Sequence, residues 1–247
     1  MTNCGICNNV IIGNYCSTCG QPLKLKRIDK HYISHEVFHL LHFEKGFFFT
    51  VKELFIKPGN SIRVFIEENR SKHMKPVGFL ILTSLLFTLI SHLFHADDLL
   101  NQKENLSFGK SSINDIMNWV KTHWGYVNIL FGIFIALCLK LFFGKYKYNF
   151  FELIILMCFV MGQAMLLLTI VTMLVGVLGK QGYIIISSVI SYGYSIWAIA
   201  QFFDGTKVFN YVKAFFGYFL GYILFYVAIV PVGLIADLII KIFSNTH

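Results

Sequence analysis

Long apolar stretches alternate with short polar segments over most of the chain. The first stretch, residues 77–96, contains no Asp, Glu, Lys or Arg. About 20 predominantly apolar residues, each rising ~1.5 Å, cross the hydrocarbon core of a bilayer, so this stretch predicts a transmembrane helix. The predicted spans are residues 77–96, 125–143, 150–175, 182–203 and 214–243. The pattern therefore predicts an all-α polytopic membrane protein with about five transmembrane helices.

The composition supports this class. A chain with 56% hydrophobic residues, 14% charged residues and 26 Phe is too apolar to cover a water-facing surface. The net charge of +8 is concentrated beside the predicted spans, where it sets orientation and attracts anionic headgroups. We therefore expect the lipid bilayer as a partner and no nucleic acid.

The N-terminal segment predicts the orientation of the chain. Its first thirty residues contain no apolar signal region and no small-residue cleavage site. The first span then acts as an uncleaved anchor, and the N-terminus stays in the cytoplasm. Five spans then put Lys145 and Lys207 on the cytoplasmic side and Lys180 and Lys241 outside. The charge bias agrees, because most Lys and Arg then fall on the cytoplasmic side.

Four cysteines form the most specific motif. Two CxxC turns lie eight residues apart in a segment that we expect in a reducing compartment, where metal binding is favoured over disulfides. Four thiolates close a tetrahedral zinc site without an open position, which indicates a structural role. An iron centre and a redox CxxC pair are the alternatives. The predicted zinc ligands of this knuckle, residues 1–22, are Cys4, Cys7, Cys16 and Cys19.

A histidine-rich segment follows and contains the HExxH motif at residues 35–39. On a helix, His35 and His39 can share a zinc ion while Glu36 activates a bound water as a general base. His31 or His42 could complete such a second metal site. These histidines form one helical stripe and the apolar residues form the opposite stripe, so a solvated polar face is the favoured interpretation.

Residues 23–76 as a whole predict amphipathic interfacial helices. Pro58 and Gly59 break the pattern into two short helices. A basic collar of Arg70, Lys72, His73 and Lys75 then precedes the first span, where we expect its Lys and Arg to contact anionic headgroups.

The predicted bundle, residues 77–243, carries few polar residues inside the spans. Glu152 and Asp237 are the acids that a transporter would use, and Gln163 and Gln201 can form hydrogen bonds between helices. Gly217 and Gly221 form a GxxxG motif, which predicts a close helix contact and a possible oligomer.

The order of these motifs resembles the bacterial membrane family called domain of unknown function 3667. The resemblance runs through CxxC, CxxCGQ, HExxH, EKGFFFTVKELFIKPG and IRVFIEENR. Its most specific positions are Thr50, Leu54, Pro58, Gly59, Arg70 and Pro76. It implies a protein of the bacterial inner membrane and no particular activity. We therefore expect a non-enzymatic scaffold or interaction protein whose knuckle binds a partner. A zinc-dependent hydrolase and a transporter or channel component are the alternatives.

Overall fold

A computed structural model describes residues 2–7, 9–11, 13–22, 46–96, 112–122 and 124–244. These residues are almost entirely helical, apart from the N-terminal knuckle. There, strands β1 (Thr2–Asn3) and β2 (Val10–Ile11) pair antiparallel, with Thr2 opposite Ile11. Such short strands cannot make a stable sheet alone, so the knuckle depends on other interactions.

Two helices, α1 (Phe47–Ile56) and α2 (Pro58–Glu67), form a hairpin that packs against the rest of the chain. Proline is well accepted at the first position of α2, because the amide hydrogen it lacks would have no partner within the helix. The inner face of the pair buries Leu54, Ile62 and Phe65 almost completely. We call these two helices the docked hairpin.

The remaining helices run in sequence to the C-terminal region. They are α3 (Pro76–Leu93), α4 (Ser112–Thr122), α5 (Trp124–Phe142), α6 (Phe150–Met173), α7 (Val175–Asp204) and α8 (Val208–Ser244). Among the described residues, four helices are long and apolar enough to cross a membrane: α3, α6, α7 and Val208–Ile242 within α8. The apolar part of α5, Val127–Phe142, is shorter. The chain is thus a helical membrane protein.

Helix α6 lies at the centre of the bundle. It packs against α3, α5 and α7, and most of its length is buried. Helix α8 packs against α5 on one side and leaves most of its apolar surface exposed. An exposed apolar helix surface is expected where lipid is the solvent, because lipid tails solvate such side chains.

The helix boundaries differ from the predicted spans in two places. Helix α7 begins at Val175 instead of residue 182, and it contains a break at Gly179, where φ is 65° and ψ is 173°. The last helix begins at Val208 instead of residue 214. Both extensions are more polar than the predicted spans, yet their backbones are helical except at Gly179. Hydropathy detects the lipid-facing part of a helix, which is shorter than the helix itself.

The ends of several helices meet at the docked hairpin, and we call this the hairpin end of the bundle. Arg63 reaches the end of α7, Tyr148 donates a hydrogen bond to Glu67, and Lys213 donates to the carbonyl of Phe142. Basic residues gather at this end; they are Lys52, Lys57, Arg63, Arg70, Lys72, Lys75, Lys140, Lys145, Lys147, Lys207 and Lys213. The hairpin end is therefore the basic end.

Candidate metal centre

The two CxxC turns of the knuckle have the same local structure, offset by twelve residues along the chain. In each turn, the residue before the first cysteine pairs with the residue six positions after that cysteine. The pairs are Asn3 with Val10 and Tyr15 with Pro22. The amide of the first cysteine also donates to a carbonyl five residues later; these bonds join Cys4 to Asn9 at 2.8 Å and Cys16 to Gln21 at 2.7 Å. The knuckle is thus a short structural repeat.

The repeat brings the four predicted cysteine ligands together. Their Sγ atoms all lie within 4.8 Å of one another. The Sγ atoms of Cys4 and Cys19 are 3.4 Å apart, and those of Cys7 and Cys16 are 3.5 Å apart. In a tetrahedral zinc site with Zn–S bonds of ~2.3 Å, neighbouring sulfurs lie about 3.8 Å apart. The cluster therefore has the size needed to hold one metal ion.

The thiols influence each other's ionisation. The backbone amides of Cys19 and Thr18 lower the pKa of Cys16 to about 6. The Gln21 amide favours the thiolate of Cys19, but desolvation and the neighbouring sulfurs outweigh it and raise the pKa of Cys19 to about 12. Without a cation, the cluster therefore ionises only in part. A bound metal would hold all four sulfurs as thiolates.

The knuckle has very little apolar core of its own. Cys4 and Cys16 are its buried residues, and Ile6 and Cys7 pack against them. A side-chain hydrogen bond of 2.8 Å from Asn9 to Thr18 joins the two turns. The cysteines are therefore both the candidate ligands and the core of this segment.

Gln21 connects the knuckle to the docked hairpin. Its Nε2 donates a 2.8 Å hydrogen bond to the carbonyl of Glu68, the residue that follows α2. The last carbonyls of a helix have no partner within the helix, so they need donors from elsewhere. The Arg70 guanidinium supplies donors to two of them, the carbonyls of Phe65 and Ile66.

The docked hairpin is attached to α7 by hydrogen bonds from the charged Arg63 side chain and by a close backbone contact at Gly59. Arg63 Nη1 donates to the carbonyls of Gln201 at 2.8 Å and Phe202 at 2.7 Å. These carbonyls lie at the negative end of the α7 dipole, which favours a cation. A Cβ atom at Gly59 would lie 2.1 Å from the backbone carbon of Gln201, so only glycine fits there.

The hairpin is also fixed near the start of α3. Thr50 Oγ1 accepts a 2.8 Å hydrogen bond from the amide of Met74. The hydroxyl of Tyr194 in α7 donates to the carbonyl of Leu54 at 2.9 Å. Gly46, with φ of 129°, leads into α1, and a Cβ there would lie 2.7 Å from the carbonyl oxygen of Lys72. These contacts tie α1 to the segment that precedes α3 and to α7.

His73 is buried between the hairpin and α6. Its Nε2 lies 2.7 Å from Ser61 Oγ, whereas its Nδ1 has no hydrogen-bond partner among the described residues. Its ring meets the rings of Phe49, Phe65 and Phe159 edge-on. Burial lowers the pKa of His73 below its usual 6.5, so the neutral form is favoured.

The other predicted site residues either lie outside the described residues or stabilise helix ends. The residues of the second metal site and the candidate base lie outside the described residues; they are His31, His35, Glu36, His39 and His42. Glu152 forms a capping box with Asn149 at the start of α6, and Asp237 accepts a hydrogen bond from the amide of Ser112 at the start of α4. Both acids thus stabilise helix ends.

The GxxxG glycines are used for a contact within the chain. A Cβ at Gly221 would lie 2.6 Å from the Cα of Ile135, and one at Gly217 would lie 2.8 Å from the side chain of Leu139. Both glycines therefore face α5. An oligomer formed through them would have to displace this helix, and the oligomeric state itself stays a prediction.

Sequence reasoning missed the contacts that attach the knuckle and the hairpin. They involve Gln21, Arg63, Tyr194 and the pair Ser61 and His73, of which Ser61 was expected to cap α2 and His73 to belong to the basic collar. The available signal was weak. Ser61 lies beside buried Ile62 in the amphipathic pattern of α2, and a polar residue at the edge of an apolar face indicates a specific partner. The amphipathic pattern does not indicate which residue is the partner of Ser61.

One comparison with known families gives a match. A family model described as "Protein of unknown function (DUF3667)" matches residues 44–88, which include the docked hairpin and most of α3. No curated protein and no solved structure matches the chain. Over the matched residues, the chain resembles this family of proteins of unknown function.

Proposed function

We propose that this protein is a non-enzymatic membrane scaffold whose knuckle holds a structural zinc ion and presents a binding surface to a partner protein. The main support for this proposal is the closed cluster of four cysteine sulfurs. Four cysteines fill the tetrahedral shell of zinc, so no position remains for a reactive water or a substrate. The bond from Gln21 to Glu68 supports a fixed position for this surface.

The exposed side chains of the knuckle support a protein partner. Tyr15 is 68% exposed and Val10 is 44% exposed, although both flank the structured turns. Aromatic residues on a rigid support are frequent anchors of protein interfaces. We therefore propose that Tyr15 and Val10 contribute to the surface that the partner binds.

We propose that the hairpin end lies in the cytoplasm and that the membrane is the bacterial inner membrane. The excess of basic residues at this end supports the orientation, because cytoplasmic loops of membrane proteins are rich in Lys and Arg. We propose that Arg70, Lys72 and Lys75 contact anionic headgroups at this end. The family resemblance supports the bacterial location.

Metal analysis of the detergent-purified protein tests this proposal. We expect one zinc ion per chain in the wild type and in the His35→Ala/His39→Ala double variant. We expect none in the Cys4→Ser/Cys7→Ser double variant, because two remaining thiolates cannot hold the ion tightly. Iron in the wild type, or a protein without metal that keeps its knuckle folded, would overturn the zinc assignment.

A hydrolase is the second candidate, and HExxH is the observation that favours it. It requires a second metal ion that is lost with His35 and His39 but kept in Glu36→Gln. A hydrolytic activity that disappears in Glu36→Gln at unchanged metal content would replace the scaffold proposal. A transporter role has less support, because Glu152 and Asp237 both cap helices.

A further inference from the structure

Helix α1 leaves an aromatic face uncovered. Phe48 is 85% exposed and Phe55 is 59% exposed, and their spacing of seven residues puts them on one side of the helix. Lys52, four residues after Phe48, is also exposed and lies on the same face. Neighbouring exposed aromatic side chains mark a surface that contacts something other than water.

The buried contacts on the opposite face of α1 prevent the helix from rotating about its axis. Thr50 and Leu54 are fully buried, and both are engaged by hydrogen bonds, from the Met74 amide and from the Tyr194 hydroxyl. Rotation of α1 would break these bonds and empty the pocket around Leu54. The aromatic face is therefore held outward by the fold.

The depth of α1 is fixed by the start of the first span. Met74, which bonds to Thr50, lies two residues before Pro76, where α3 begins. Helix α1 therefore lies at the level where the chain enters the hydrocarbon. Interfacial helices bury Trp, Phe and Leu side chains at this level, at the boundary between the headgroups and the acyl chains.

The lysines around the aromatic face of α1 indicate what this face contacts. Lys52 lies within the face, and Lys57 and Lys72 flank it and are exposed. Glu53 is half-buried and points away from the aromatic side. Aromatic rings beside lysines complement a leaflet that contains anionic phospholipids, because the rings enter the acyl region while the ammonium groups meet the phosphates.

We infer that the Phe48 and Phe55 face of α1 inserts into the lipid leaflet on the knuckle side of the membrane, with Lys52 at the anionic headgroups. This inference deepens the proposed scaffold function, because it places the docked hairpin in the leaflet. It does not depend on the metal. A failure here would leave the zinc content of the same sample unchanged, so the two proposals fail separately.

Fluorescence in nanodiscs tests the inference on the full-length chain. Trp119, Trp124 and Trp197 are first replaced by Phe, and Phe48→Trp or Phe55→Trp then adds one reporter. Tyr15→Trp on the knuckle is the matched control, because Tyr15 is an aromatic residue of similar exposure. The discs contain phosphatidylcholine with or without phosphatidylglycerol, and their acyl chains are either brominated or unmodified.

We expect bromine to quench Phe48→Trp and Phe55→Trp several-fold more strongly than Tyr15→Trp. Adding Lys52→Glu should weaken the quenching of Phe48→Trp in discs with phosphatidylglycerol but not in pure phosphatidylcholine. Quenching no stronger than in Tyr15→Trp would overturn the insertion. Blue-shifted emission without quenching would also overturn it, since a second copy or another protein would then cover the face. An unchanged response to Lys52→Glu would overturn the headgroup contact.

Discussion

The knuckle and the docked hairpin touch each other through Gln21, but their folds rest on different interactions. The knuckle has strands of two residues each, and its buried residues are cysteines. The hairpin instead buries Leu54, Ile62 and Phe65 against the bundle. Packing therefore orders the hairpin, whereas the proposed metal ion would order the knuckle.

The family match covers the docked hairpin but not the knuckle. The matched residues 44–88 contain the packed hairpin, and the knuckle lies before them. Thr50, Leu54, Pro58 and Gly59 are all buried at the contact with the bundle. These four residues of the matched region thus build a docking surface within the chain. The knuckle is an attachment whose loss should leave the hairpin intact.

Removing the metal should have the largest effect and should be confined to the knuckle. We expect Cys4→Ser/Cys7→Ser, or treatment with a strong chelator, to abolish amide protection in residues 2–22, because the thiol cluster is the core there. Hydrogen exchange measured by mass spectrometry should show unchanged protection in α2 and α6. Cys138→Ala, which alters a buried cysteine of the bundle, is the control and should keep the knuckle folded. Loss of protection in α2 would contradict the separation.

Adding a methyl group at Gly59 should have the next largest effect and should act on the hairpin. The new Cβ would lie 2.1 Å from the backbone of Gln201, which cannot move aside as a side chain could. We expect a destabilisation of about 1–3 kcal/mol or more, measured by thermal unfolding in detergent. Gly193→Ala is the matched control, because a Cβ at Gly193 in α7 meets no atom within 4 Å. If both variants unfold at the same temperature, the hairpin is not docked as described.

Acidification should weaken the hairpin by a smaller amount through His73. Burial lowers the pKa of this histidine in the folded protein, while Glu53 opposes the shift and Lys72 adds to it. Below pH 6.5 the unfolded chain takes up a proton that the folded chain does not, so stability falls as the pH drops from 6.5 towards the lowered pKa. The loss is at most ~1.4 kcal/mol per pH unit, and there is none above the usual histidine range.

Hydrogen exchange of α2 in nanodiscs at several pH values measures this dependence. His73→Gln removes the titrating group, and the difference between the two proteins isolates His73 from the other histidines. We expect the wild type to lose more protection than the variant on acidification. Equal slopes would mean that the ring of His73 is accessible to water.

Local features of the fold could be predicted from the sequence, but contacts between residues far apart along the chain could not. The cysteine spacing predicted the cluster, and the apolar run at residues 77–96 predicted α3, because each signal lies within one short stretch of the chain. The amphipathic pattern of α2 predicted an apolar face but not its partner. Lipid and protein present equally apolar surroundings to such a face, so the pattern cannot tell them apart.

The contacts that distinguish these surroundings involve residues far apart in sequence. Gly59 meets Gln201, and Arg63 reaches the carbonyls at the end of α7. A single glycine or arginine in a sequence has many ordinary explanations, so neither residue identifies its partner. The same holds for Gln21, which follows the CxxC motif closely and yet bonds to Glu68.

Removing the link between the two regions should have the smallest effect. Gln21→Ala deletes the donor to the Glu68 carbonyl but leaves the cysteines in place, so we expect metal content to stay at the wild-type value. A lost hydrogen bond of about 0.5–1.5 kcal/mol corresponds to roughly 2- to 13-fold faster exchange at the amides of Glu68 and Asn69. Asn9→Ala is the control, because it deletes a bond within the knuckle and should leave these two amides unchanged. Exchange unchanged in both variants would mean that the knuckle and the hairpin are fully independent, and that a partner bound to the knuckle is not held against the bundle.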